Sequence, residues 1–139
     1  MNKYRELKSK HQIEVNTFPF GFAFNKDQYD IMMDKWGLKP THRSQIIYMG
    51  GGSFIRKSDY KAMHEMFARH VAEHKAAMQD DEYLYQMFNY ELANHEYRYT
   101  QDLTYTLESL ALTIDEVNAD PRIADALKRA IAAQNKEEN

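Results

Sequence analysis

QIIYMGGGSFIRKS, residues 45–58, decides how the chain is read. Residues 46–49 and 53–56 are rich in β-branched and aromatic side chains. Gly50, Gly51 and Gly52 between them supply the positive φ angles that a tight reversal needs. The stretch therefore predicts two short strands around a glycine turn. It also holds the last glycine in the chain, and no proline follows until Pro121. Everything from Ser53 to Asp120 is expected to be mostly helical, because neither residue that most readily breaks a helix interrupts it.

Upstream of the hairpin, Phe18, Phe20, Phe22 and Phe24 alternate strictly, which predicts a third strand with four rings on one face. Pro19 and Gly21 between them suit the edge of a sheet. Asn25 is placed to cap a short helix over about 26–36, closed by Gly37 and followed by Pro40. Residues 1–15 read as an N-terminal helix or arm.

Downstream, Ser58 is expected to cap a helix running to about Met78. Its apolar stripe is Met63, Met66, Phe67, His70, Val71, His74, Ala77 and Met78. Asp80 is the expected break and the next N-cap, with Asp81 and Glu82 favouring the new helix dipole. Leu84, Met87, Phe88, Glu91, Leu92 and His95 share one side of that helix, which should end near Tyr97. A shorter helix follows Asp102. Thr113 and Glu116 have the spacing of a capping box, and Asp120-Pro121 opens a last helix carrying Ile123, Leu127 and Ile131. Residues 134–139 should fray. The expected fold is α+β in a single domain, 1–139. A small antiparallel sheet of about three strands would pack against a helical hairpin and shorter C-terminal helices. Without a break at Asp80, residues 58–97 would instead form one long helix.

Composition narrows the function classes. The chain has 139 residues, 43% hydrophobic and 28% charged, which is the balance of a globular protein. A net charge of −3 gives no overall basic field for nucleic acid. The absence of cysteine removes disulfides, thiol catalysis and cysteine-based zinc sites together. A polar start and the lack of a long apolar run predict a cytoplasmic protein.

Three groups of side chains carry chemistry worth weighing. His70 and His74 lie four apart on one helical stripe, and Glu91 and His95 repeat that spacing on the next helix. If the chain reverses at Asp80, His70 comes to face Glu91. The four residues would then suit a divalent metal such as zinc, or a carboxylate–imidazole acid/base pair. Structural His–Glu pairing inside a core is the preferred reading. HVAEH is not the His-Glu-x-x-His of a zinc protease, because its Glu sits beside the second histidine. Arg56, Lys57 and Ser58 near a helix start form a weak anion site. They do not form a phosphate loop, since four residues separate Gly52 from Lys57-Ser58. Tyr83, Tyr90 and Tyr97 recur every seven residues, and with Tyr99 they suggest an aromatic interaction face.

FAFNKDQY (22–29), GGGSFIRKSDY (50–60) and NHEYRYTQDLTYTLESLALT (94–113), in that order and spacing, resemble an uncharacterised family of small proteins from gut bacteria and their phages and mobile elements. The likeness covers roughly residues 18–118, with Asn94–Tyr97 as its most specific part. It implies no catalytic or binding residue. It implies a context in which small proteins act as accessory factors that bind and block a host protein.

The functional expectation is a small, non-enzymatic binding protein that works by contact with a protein partner. A counter-defence inhibitor is one form of this, with no cofactor and with self-association as a further expectation. The rival readings are an enzyme built on His70, His74, Glu91 and His95, and a small-ligand or nucleic-acid binder.

Overall fold

The computed structural model describes residues 1–136. In chain order the elements are α1 (Lys3–Thr17), β1 (Gly21–Phe22), α2 (Lys26–Lys35), β2 (Ile46–Gly50), β3 (Ser53–Arg56), α3 (Tyr60–Ala77), α4 (Asp81–Asn94), α5 (Tyr97–Thr100), α6 (Thr104–Ser109), α7 (Ile114–Ala119) and α8 (Pro121–Lys136). Short 3-10 turns occupy Arg43–Gln45 and Lys57–Asp59. The architecture is α+β, as the pattern predicts. The chain divides into two compact units, a sheet unit (Ile13–Val71) and a helical unit (Met1–Gln12 with Ala72–Asn139).

In the sheet unit the order is β1-β3-β2, antiparallel throughout. The glycine turn behaves as its composition demands, with φ of 93°, 59° and 78° at Gly50, Gly51 and Gly52. Alternation along β3 sorts its side chains. Ile55 points to one face and is fully buried, while Phe54 points to the face that α2 covers. There Met32, Met33, Ala23, Ile46 and Phe54 form a small core, with the Arg56 guanidinium 5.8 Å from the Trp36 ring centre. Gly21 allows α2 this close approach, because a Cβ there would sit 2.5 Å from Met32 Sδ and from the Trp36 ring. Asn25 caps α2 as expected, its side chain accepting from Gln28 N at 2.8 Å.

The phenylalanine run departs from its expectation. Helix α1 continues through Thr17, and Phe18 N still donates to Glu14 O at 3.1 Å. Phe20 N then donates to Phe18 O at 2.7 Å in a tight turn around Pro19. Only Gly21 and Phe22 pair with β3 as a strand. The four rings therefore do not share one face. Phe18 and Phe20 lie against each other with ring centres 5.1 Å apart, while Phe22 and Phe24 are exposed.

In the helical unit the predicted break occurs. Asp80 caps α4, its carboxylate accepting from Glu82 N at 3.0 Å. Arg122 reinforces the turn, donating to Gln79 O at 2.8 Å and to Asp81 Oδ1 at 2.8 Å. Helix α4 buries Tyr83, Leu84, Met87, Phe88, Glu91 and Leu92, and the element packed most extensively against it is α8. This differs from the expected hairpin core. Ala126 and Ala130 on α8 are fully buried, and their small side chains let the two helix backbones approach closely. Burying Leu84, Met87, Phe88 and Leu92 is worth about 1.5–3 kcal/mol each. The capping box forms as predicted, with Thr113 Oγ1 accepting from Glu116 N and Glu116 Oε1 accepting from Thr113 N, both at 3.1 Å. The expected fraying of 134–139 lies partly outside the described residues, and α8 is helical through Lys136. Among the described residues no helix is long and apolar enough to cross a membrane.

Candidate interaction surface

The four residues weighed as a metal or acid/base cluster each have their own surroundings. Glu91, 1% exposed, is the hub of a buried polar network in the helical unit. Its Oε2 accepts from the Tyr4 hydroxyl at 2.7 Å, from Lys8 Nζ at 3.3 Å and from Ser109 Oγ at 3.4 Å. Its Oε1 accepts from Asn94 Nδ2 at 3.4 Å. Tyr4 and Lys8 come from α1, so the acid's principal donors arrive from the start of the chain. His74 lies 2.7 Å from the Tyr83 hydroxyl through Nδ1, with the Tyr4 ring 6.1 Å away. His70 belongs to the sheet unit, where its Nε2 is 3.1 Å from Glu14 Oε1, and Arg69 pairs with the same carboxylate. His95 closes α4 as its C-cap, and its Nε2 is buried without a hydrogen-bond partner. Among the described residues no group of three or more His, Cys, Asp or Glu side chains is placed to hold a metal ion.

The electrostatics follow from these surroundings. The Arg69 guanidinium, with His70 beside it, holds the Glu14 carboxyl down at about 2. Burial lowers the His74 pKa, and the neighbouring His11 lowers it further. Burial pushes the Tyr83 hydroxyl up to about 12. Burial, then the bond to Glu91, raises that of Tyr4 beyond the ordinary tyrosine range. Both phenols therefore stay protonated; Tyr4 donates to the Glu91 carboxylate, and the Tyr83 hydroxyl shares a hydrogen bond with His74 Nδ1.

The other two expected groups separate in the same way. Arg56 is committed to Asp59, with Nε 2.8 Å from Oδ2, while Lys57 and Ser58 lie exposed on the 3-10 turn. Of the tyrosines, Tyr83 (3% exposed) and Tyr97 (7%) belong to the core and offer nothing to a partner. Tyr90 is half-buried against the same core, and Tyr99 is exposed. The seven-residue stripe thus faces largely inward.

Most of the large apolar side chains open to solvent lie in the sheet unit. Phe22 is 60% exposed, Phe24 74% and Ile31 57%. A groove of about 390 Å³ runs between β1 and α2, its apolar lining formed by Phe20, Phe22, Ile31, Met32 and Trp36, with Gln28 and Lys35 as its polar members. Sequence reasoning assigned Phe22 to a sheet face and passed over Ile31. The available signal was Ile31 itself, which lies on the flank of α2 away from its buried pair Met32 and Met33.

No curated protein matches the chain, and no solved structure matches it. A family model does match, over residues 3–133. It takes in nearly every element described above, and on that extent of agreement the chain belongs to a family of unknown function, DUF7659.

Proposed function

We propose that this is a small, non-enzymatic intracellular protein that works by protein–protein contact, and that the groove between β1 and α2 is the surface it offers. One observation carries the reading: Phe22 and Ile31 stand largely exposed in a groove whose lining is mainly apolar. Contiguous apolar surface of this kind on a small protein marks a binding face, since covering each large side chain recovers about 1.5–3 kcal/mol. The occupant that fits is an extended apolar segment of another protein. β1 is an edge strand only two residues long, and an added strand beside it would place alternate side chains in the groove. Lys35 at the rim favours an acidic residue flanking that segment. The resemblance to small proteins of gut bacteria and their mobile elements supports a specific form of this role, an accessory factor that occupies and blocks a host protein.

The test is affinity capture from cytosol of the cells that make the protein, using the wild type and a Phe22→Asp/Ile31→Asp variant. Both positions are exposed, so the variant should keep its circular dichroism and melting temperature. The expected result is a discrete protein retained by the wild type and lost from the variant. Equal retention by both would overturn the assignment. Concentration-dependent dimerisation that the same substitutions abolish would reassign the groove to a second copy of this chain.

A further inference from the structure

A second concavity in the sheet unit has a different chemistry. It is a cleft of about 410 Å³ lined by Lys26, Tyr29, Arg43, Ile46, Tyr48 and Phe54, at the small end of the range for small-molecule sites. Three rings form its floor as a continuous array. Phe54 is central, with its centroid 5.9 Å from that of Tyr29 at an interplanar angle of 66°, and 5.0 Å from that of Tyr48 at 50°. Tyr48 is 61% exposed, so much of its ring is free to take a stacking partner. The hairpin holds it in place, since its hydroxyl accepts from Gly52 N at 3.4 Å.

Two cations flank these rings. Lys26 stands at the first position of α2, 3.7 Å from Asp30, with its side chain 88% exposed. Arg43 stands on the 3-10 turn. Arg56, Arg122 and Arg129 are each paired with a carboxylate, but among the described residues Arg43 has no such partner. Its turn is nevertheless well tied. The Tyr29 hydroxyl donates to Pro40 O at 3.3 Å, Lys39 N donates to His42 Nδ1 at 3.0 Å, and Gln45 N donates to His42 O at 3.0 Å. The guanidinium is thus carried on an ordered segment and left open to an external anion.

We infer that this cleft binds a nucleoside monophosphate, with the base stacked on the exposed Tyr48 ring and edged by Phe54, and the phosphate held by Arg43 and Lys26. A planar ring accounts for the aromatic floor, because bases stack favourably on aromatic side chains. A phosphate of nearly two negative charges accounts for a pair of cations, one of them an arginine whose fork matches two phosphate oxygens. The net charge of −3 disfavours a long polyanion. This site is independent of the groove between β1 and α2.

The experiment is a titration of isotope-labelled protein with AMP and UMP, followed by amide shifts and by calorimetry. Adenosine, inorganic phosphate and an octanucleotide serve as further arms. Saturable AMP binding with shifts at Tyr48, Arg43 and Phe54 is expected, about tenfold weaker for adenosine, for Arg43→Gln and for Tyr48→Ala. Tyr48→Leu, which keeps the bulk but removes the ring, should lose as much as Tyr48→Ala and guards against a folding artefact. The assignment is overturned by any of four results: no shift with millimolar nucleotide, full affinity in the Tyr48 variants, phosphate binding as tightly as AMP, or an octanucleotide binding more than tenfold more tightly than the mononucleotides.

Discussion

Replacing Glu91 with glutamine tests whether this acid is a structural hub. The substitution keeps the shape of the side chain and removes only its charge and one acceptor oxygen. Three donors converge on Oε2: the Tyr4 hydroxyl at 2.7 Å, Lys8 Nζ at 3.3 Å and Ser109 Oγ at 3.4 Å. Lys8 is half-exposed, so solvent screens its share. The bond from Tyr4 is short, buried and charge-assisted, the class worth about 1.5–3 kcal/mol. Losing it while part of the network is left unmatched should cost about 2–3 kcal/mol. A chain of this length shifts its melting temperature by roughly 3 °C per kcal/mol, so a fall of about 6–9 °C is expected by differential scanning calorimetry. Tyr4→Phe alone should cost about 2 kcal/mol. The double variant should cost less than the sum of the two, because both remove the same bond. Chelator should change none of these values. A melting temperature unmoved by Glu91→Gln, or strict additivity with Tyr4→Phe, would refute the reasoning.

Two further outcomes follow from local geometry. His74 has a folded pKa below its unfolded value near 6.5, so the unfolded chain binds the extra proton first. Its contribution is therefore present above pH 6.5 and is lost as pH falls from there towards the depressed folded value. Melting temperatures measured from pH 8 to pH 5 should show this loss, and His74→Gln should flatten it; an unchanged slope in the variant would exclude His74 as the source. Gly52 holds φ of +78°, and a Cβ there would collide with the Phe24 ring. Gly52→Ala should destabilise the protein by about 1–3 kcal/mol in urea denaturation, mostly through backbone strain, since the exposed Phe24 ring has room to move.

What the sequence reveals of this fold is its local part. Gly50-Gly51-Gly52 specify the hairpin, Asn25 and Asp80 specify helix starts, and Thr113 with Glu116 specify a capping box. In each case the information sits within a few residues of the structure it determines. The phenylalanine run misleads because a period of two describes side-chain spacing and not backbone pairing. Helix α1 overruns into it, and Pro19 has no N–H to contribute to a ladder. The donors to Glu91 are illegible for another reason: Tyr4 lies 87 residues away, and no spacing rule links an N-terminal helix to the middle of α4. The tyrosine stripe shows that a regular repeat marks a helix face without saying whether that face is covered. Here α8 supplies partners for α4 through alanines, whose smallness gives almost no pattern signal.

The central claim is that the groove between β1 and α2 takes a segment of another protein. Placing the photoreactive residue p-benzoylphenylalanine at position 22, and in a separate variant at the exposed Tyr105 of the helical unit, tests this most directly in the living cell. The account predicts a discrete crosslinked partner from position 22, none from position 105, and loss of the adduct when Ile31→Asp is added. The same adduct from both positions, or its persistence with Ile31→Asp, would contradict it.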